Sequence, residues 1–118
     1  MPARRLDTSL PLNPGNLRDW VVFQRPVKTQ NSMGEDVTTS YVPVVSCWCH
    51  VRALSGREME AVQQIWAEAR FRVRTWYVSG LQRQDVGFWG DRRLDVLDAE
   101  DPDGRGREIV IFARELVA

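Results

Sequence analysis

The sequence contains few of the residues from which catalytic and metal sites are built. It has one histidine, His50, and two cysteines, Cys47 and Cys49. On a strand the cysteines would share one face and His50 would lie on the other, which argues against a Cys–His nucleophile and against a zinc site. No Ser–His–Asp set, carboxylate pair or glycine-rich phosphate loop stands out. We therefore predict no enzyme, no metal and no cofactor, and we interpret the cysteines as free thiols.

No charge of one sign dominates, because sixteen basic residues balance sixteen acidic ones. Duplex-DNA-binding domains are usually basic overall, so neutrality argues against one, and also against a membrane-surface module. A neutral surface favours association between copies. The sequence contains no apolar run of about 18 residues, which a membrane-spanning helix needs. No apolar segment of the kind found in signal peptides follows Arg4 and Arg5. We expect neither a membrane span nor a signal peptide.

The chain has the length of one domain, with 118 residues. Residues 1–16 contain three prolines and no periodicity, which predicts a flexible N-terminal arm ahead of a single domain at residues 17–118. Residues 27–36 combine turn and polar residues without an apolar face. They predict a long mobile loop, represented by Lys28, Asn31, Gly34 and Glu35.

The β-type segments surround one helical segment. Pro26 should end the first strand, and Pro43 should confine the second to an edge or a break. Phe88 and Trp89 fall in a predicted loop, and residues 102–106 have the composition of a hairpin turn. The predicted strands are residues 20–25, 37–45, 46–54, 69–77, 93–101 and 107–117. This order predicts an α+β fold: a small antiparallel sheet or partly closed barrel, with one inserted helix and a long loop.

The helical segment is predicted at residues 56–67. Ser55 has the position of an N-cap, and Glu58 completes a capping box, in which each side chain satisfies an amide of the first turn. A helix of this length is marginal alone, so its apolar stripe must be packed. Apolar residues recur at three- and four-residue steps: Met59, Val62, Ile65, Trp66 and Ala69.

A stripe of arginines follows on the strand. Arg70, Arg72, Arg74 and Trp76 alternate with apolar residues, so they should share an outward face. This face is either solvated and balanced by nearby acids, or a surface for an acidic partner or a nucleic-acid backbone, with Trp76 as an aromatic anchor. Neutral net charge favours a protein partner. The other interpretation gives an alternative function, a single-stranded nucleic-acid-binding module with an OB-like sheet.

The order of motifs over residues 14–116 resembles the head–tail joining family of tailed bacteriophages, also called head-closure, stopper or head–tail adaptor proteins. The third strand and the long arm depart from the family pattern. The positions that carry the resemblance are Gly15 and Leu17, Gln24 and Arg25, Gly34, and residues 55–58, 71–77 and 107–115.

The resemblance implies a structural virion protein without enzymatic activity, assembled in the host cytoplasm. Such proteins form a ring, typically a dodecamer, below the portal and its adaptor. The ring closes the DNA-filled head and docks tail-terminator or tail-tube proteins, and DNA passes its channel without sequence-specific binding. A tail terminator is a close alternative. In the family, the segment at residues 55–68 lies near the channel. This channel segment contributes the candidate partner residues Ser55, Gly56, Arg57, Glu58, Gln63 and Gln64.

Overall fold

A computed structural model describes residues 12–102 and 104–116 of the chain. Residues 1–11 of the predicted arm lie outside the described part. Leu12 is buried, and Pro14–Asn16 form a short 3-10 helix. The elements that follow are β1 (Asp19–Gln30), β2 (Asp36–Ala53), α1 (Gly56–Gln63), β3 (Phe71–Trp76), β4 (Val86–Trp89), β5 (Arg92–Glu100) and β6 (Glu108–Leu116).

The strands form one antiparallel sheet that closes on itself in the order β1-β2-β3-β6-β5-β4. Closure depends on the short strand β4, which pairs with β1 on one side and with β5 on the other. The predicted α+β fold, an antiparallel sheet curled into a barrel with one inserted helix, is confirmed. Closure removes free edges within the barrel, whereas β1 keeps an open edge beyond Gln24, where β4 ends.

The barrel has an inner core, and a second core lies outside it, beneath α1. Val21, Phe23 and Val73 belong to the inner core, whereas Val62 of α1 packs in the outer one. β6 serves both: Ile109 and Ile111 face inward, and Val110 and Phe112 face the helix. This explains why β6 is apolar on both faces. It lies inside the sheet, because it pairs with β3 and with β5.

The predicted loop at residues 27–36 is wrong in extent, because most of it belongs to a β-hairpin. β1 continues through Pro26, which is paired with Tyr41, and β2 continues through Pro43, which is paired with Gln24. Beyond Gln24, β1 no longer pairs with β4. A proline is tolerated there because its missing N–H faces an open edge. The register shift between Phe23 and Gln24 lies beside Pro43 and accommodates the second proline.

The tip of this hairpin is a short, hydrogen-bonded turn. Lys28 lies in β1 opposite Thr38, whereas Asn31, Gly34 and Glu35 lie in the turn. The Asn31 side chain accepts hydrogen bonds from the amides of Met33 (2.9 Å) and Glu35 (3.0 Å). Gly34 has φ +82°, which favours glycine. The hairpin projects from the barrel, and the chain is 57 Å long but only 28 Å and 26 Å across.

Two other predicted boundaries are wrong. The strands predicted at residues 37–45 and 46–54 are one strand, β2, which ends at Ala53, and Phe88 and Trp89 lie in β4 instead of a loop. β4 has four residues, one of them glycine, so its β signal is weak. Gly87 is required for close packing: a Cβ there would lie 2.9 Å from Val21 Cγ1 and 3.0 Å from Phe23 Cε1. The predicted hairpin turn between β5 and β6 is confirmed.

Candidate functional site

The helix α1 is shorter than predicted, ending at Gln63 instead of residue 67. Turns replace the last helical residues, with the amides of Ile65 and Trp66 both donating to the Val62 carbonyl. Ile65 therefore leaves the predicted apolar stripe and is 76% exposed. Met59, Val62 and Trp66 still pack in the outer core. Gln63 is half-buried, and its side chain donates a 2.9 Å hydrogen bond to the Ala69 carbonyl, which fixes the turn that leads into β3.

The predicted capping box is also wrong. Ser55 has the extended backbone of an N-cap, but its side chain makes no capping hydrogen bond. Its hydroxyl lies 3.1 Å from Glu58 Oε1 instead. Glu58 turns away from the helix start and towards the barrel, where it accepts hydrogen bonds of 2.6 Å from both Arg52 Nη2 and Arg72 Nη1. Glu58 therefore attaches α1 to β2 and β3 and does not cap the helix.

The arginines of β3 occupy the predicted face but are not exposed there. Val73 and Thr75 face the barrel interior, and Arg72 and Arg74 face outward, as the alternation predicts. However, Arg72 is only 1% exposed because its guanidinium lies against Glu58 of α1. Arg74 is buried in a two-pronged ion pair with Glu108 of β6, with distances of 2.9–3.2 Å. The predicted solvent exposure of both arginines is wrong, because local carboxylates make their burial tolerable.

This correction changes the functional interpretations. Arg70 is exposed, and it donates to the carbonyls of Ala67 and Ala69. Trp76 is also exposed, but Arg72 and Arg74 no longer offer accessible cations. The single-stranded nucleic-acid alternative thus loses two of the four side chains on which it depended. The same burial removes them from the surface that we predicted for an acidic partner.

The exposed surface beside these arginines is aromatic. Trp20 and Trp48 are direct partners across β1 and β2, and their ring centroids lie 5.1 Å apart. His50 pairs with Arg74, so the same register continued by two residues places Trp48 beside Trp76. A 2.8 Å hydrogen bond from Thr75 Oγ1 to the Trp48 carbonyl supports this placement. We call Trp20, Trp48 and Trp76 the tryptophan row. They are 44%, 54% and 46% exposed, and only Trp76 was singled out from the sequence.

The two cysteines share the inward face of β2, as predicted. Both are free thiols, with Sγ atoms 3.7 Å apart; Cys49 is buried and Cys47 is half-buried. The hydrogen bond from Cys49 lowers the pKa of Cys47 to about 7, although burial opposes this shift. The same contact, together with burial, raises the pKa of Cys49. One thiol of the pair is therefore activated at the expense of the other.

We expect alkylation of Cys47 by iodoacetamide to rise with pH around a midpoint near pH 7, because its lowered pKa makes the thiolate available there. Cys49 should react slowly at every pH, since it is buried. Peptide mass spectrometry would follow both sites. In a Cys49→Ala variant the donor is lost, so the Cys47 midpoint should move up. An unchanged midpoint would show that Cys49 does not set the acidity of Cys47.

Other site chemistry is limited in the described ranges. Among residues 12–102 and 104–116, no three His, Cys, Asp or Glu side chains are grouped so that they could hold a metal ion. Within the same ranges, no helix is long and apolar enough to cross a membrane. The features left to explain are the attached helix, the projecting hairpin and the tryptophan row.

A family model described as phage head completion protein matches residues 12–116. The chain belongs to this family. The resemblance predicted from the motifs is confirmed, and the head completion protein is a structural component of the phage virion. A search of the curated proteins found no match.

Two of the solved structures that share the fold cover most of this chain. One is the solution structure of protein SF1141 from Shigella flexneri 2a, which is 22% identical with a TM-score of 0.63 and covers 88% of this chain and 96% of its own. The other is a chain in the virion of a native gene transfer agent particle, which is 18% identical with a TM-score of 0.58 and covers 84% and 94%. At these identities, the two structures support the barrel architecture of the head completion protein.

Proposed function

We propose that this head completion protein forms a ring below the portal or its adaptor, closes the DNA-filled head and offers a docking face to the tail. The family match over nearly all described residues carries the proposal. The neutral net charge supports association between copies. The similarity to a chain within a gene transfer agent virion is consistent with a place in a particle.

The proposed ring is a dodecamer, assembled in the host cytoplasm and retained in the neck of the virion. Its neighbours are the portal or adaptor ring on one side and tail-terminator or tail-tube proteins on the other. Packaged DNA passes through its channel without sequence-specific binding. The burial of Arg72 and Arg74 fits this role, since accessible cations on the barrel would hold DNA by its phosphates.

The channel segment is proposed to line this passage. Arg57 and Glu60 on α1, and Gln64 just after it, are exposed, whereas Glu58 is buried against the barrel. The outer surface of the helix thus carries one positive charge, one negative charge and polar groups. Glu58 holds the helix to the barrel through Arg52 and Arg72. A surface of this kind contacts passing DNA without the counterion release that would make it adhere.

The test is a phage from which this gene has been deleted. We expect DNA-filled heads and complete tails to accumulate separately, because nothing closes the head or receives the tail. Adding the purified protein to the extract should restore joined particles. Electron microscopy should then show an additional ring at the portal vertex of completed heads.

Two other outcomes would contradict the proposed role in head closure. Stable full heads accompanied by tails of irregular length would indicate a tail terminator. Joined, infectious particles without the protein would contradict both roles. Measuring tail length as well as the joined fraction therefore separates the proposal from its neighbour.

A further inference from the structure

The hairpin tip presents an apolar side chain with acidic neighbours. Met33 is 80% exposed, the highest exposure among the large hydrophobic residues of the described chain. The Asn31 side chain accepts a hydrogen bond from the Met33 amide, which fixes the backbone of Met33. Glu35 and Asp36, also exposed, follow within three residues. An ordered turn that holds a methionine away from the protein has the form of a knob that inserts into a partner surface.

The tryptophan row lies at the other end of β1 and β2. Three half-exposed tryptophans present an apolar area on the order of 300 Å², as large as the functional patches of many monomers. Basic residues border it. Arg18 is exposed and lies two residues before Trp20. Arg107 is also exposed, and its carbonyl accepts a hydrogen bond from the amide of Tyr77, the residue after Trp76. The acids Glu108 and Asp19 also lie there; Glu108 is paired with Arg74, and Asp19 accepts a hydrogen bond from the Val51 amide.

The knob and the row cannot meet within one chain. Trp20 and Gln30 lie at opposite ends of β1. Ten residues of strand separate them by about 33 Å, at ~3.3 Å per residue. The two surfaces are nevertheless complementary: a thioether packs well on aromatic rings, and acids beside the methionine would meet arginines beside the tryptophans.

We propose that the hairpin tip of one copy docks on the tryptophan row of a second copy. The contact joins two different surfaces, so each bound copy leaves a free knob and a free row. Such head-to-tail contacts form closed rings when the rotation between copies closes. The inference rests on the proposed ring and names the surfaces that form it. The tryptophans act as the central anchors of the interface, and the charged residues set its register.

Indole N–H signals in the NMR spectrum of the free protein test this contact. As protein concentration rises from micromolar to millimolar, the signals of Trp20, Trp48 and Trp76 should shift together. Trp66 and Trp89 serve as internal controls, because they pack at the outer and inner cores respectively and should not move. Shifts in the controls alone, or no shifts up to the highest soluble concentration, overturn the proposal.

Variants test whether Met33 at the hairpin tip is the knob that contacts the row. Met33→Asp should weaken the concentration dependence by at least about tenfold, as expected for an interface anchor. Ile65→Asp is the matched control, since Ile65 is a similarly exposed apolar residue away from the hairpin. It should leave the shifts unchanged. A Met33→Asp protein that shifts its row signals at the same concentrations as the original protein would contradict the docking, since it would point to direct row-to-row contact.

A mixture of two variants distinguishes docking of the hairpin tip on the row from a symmetric contact between two rows. Labelled Met33→Asp protein keeps an intact row, and unlabelled Trp48→Ala protein keeps an intact knob. Their mixture should shift Trp20, Trp48 and Trp76 of the labelled chain at concentrations at which neither protein associates alone. A mixture that causes no shift overturns the contact. Complementation of the deleted phage is scored independently, so restored particles without indole shifts would leave the proposed function standing and remove only this interface.

Discussion

Replacing Glu58 with glutamine should lower the free energy of unfolding of the head completion protein by about 3–5 kcal/mol, the cost of breaking a buried ion pair. The substitution would leave the Arg72 guanidinium, which is almost completely buried, without its carboxylate 2.6 Å away. Arg52 and the Ser55 hydroxyl would face a neutral amide in place of the same carboxylate. The helix α1 should therefore loosen from the barrel, and with it the channel segment.

Urea denaturation of the purified variant measures this effect. Glu60→Gln is the matched control, because Glu60 lies on the exposed face of the same helix. It should change stability by no more than about 0.5 kcal/mol. A double variant, Glu58→Leu with Arg72→Leu, should be more stable than either single variant, because two apolar side chains can replace a buried ion pair. Equal losses for the Glu58 and Glu60 variants would show that the buried pair contributes nothing.

Phe23→Ala should also cost about 3–5 kcal/mol, since it removes a large side chain from the inner core and leaves a cavity. Phe23 is almost completely buried, opposite Gly87 of β4 at the point where the barrel closes. Phe88 gives the control. It pairs with Val22, next to the Phe23–Gly87 pair, and it is only half-buried. Its ring makes an edge-to-face contact with Tyr41, with centroids 5.5 Å apart. Phe88→Ala should cost less, on the order of 1 kcal/mol.

The same position allows a test of how closely β1 and β4 are packed. Gly87→Ala alone should destabilise the protein, because the added Cβ would lie 3.0 Å from Phe23 Cε1. In the Phe23→Ala background that clash is gone, although the contact with Val21 remains, so Gly87→Ala should cost less there. Denaturation of the four proteins gives the coupling between the two sites. Strictly additive losses would mean that Phe23 does not exclude a side chain from position 87.

Local alternation determined several features from the sequence alone. Cys47 and Cys49 on one face of β2, and Arg72 and Arg74 on the outward face of β3, follow from a period of two. The start of α1 after Ser55 was predicted equally well. These features depend on residues close in sequence, so a short window contains the information that determines them. The motif order likewise pointed to the family.

Only the tertiary structure decided the state of the charged residues and the extent of the hairpin. Arg72 and Arg74 are buried because Glu58 and Glu108, 14 and 34 residues away, lie against them. Pro26 fits within β1 because β4 ends before it, and Pro43 fits within β2 beside a register shift. The tryptophan row exists because three strands meet in one register. The sequence by itself determined which face of each strand a side chain occupies, and long-range pairing decided what covers that face.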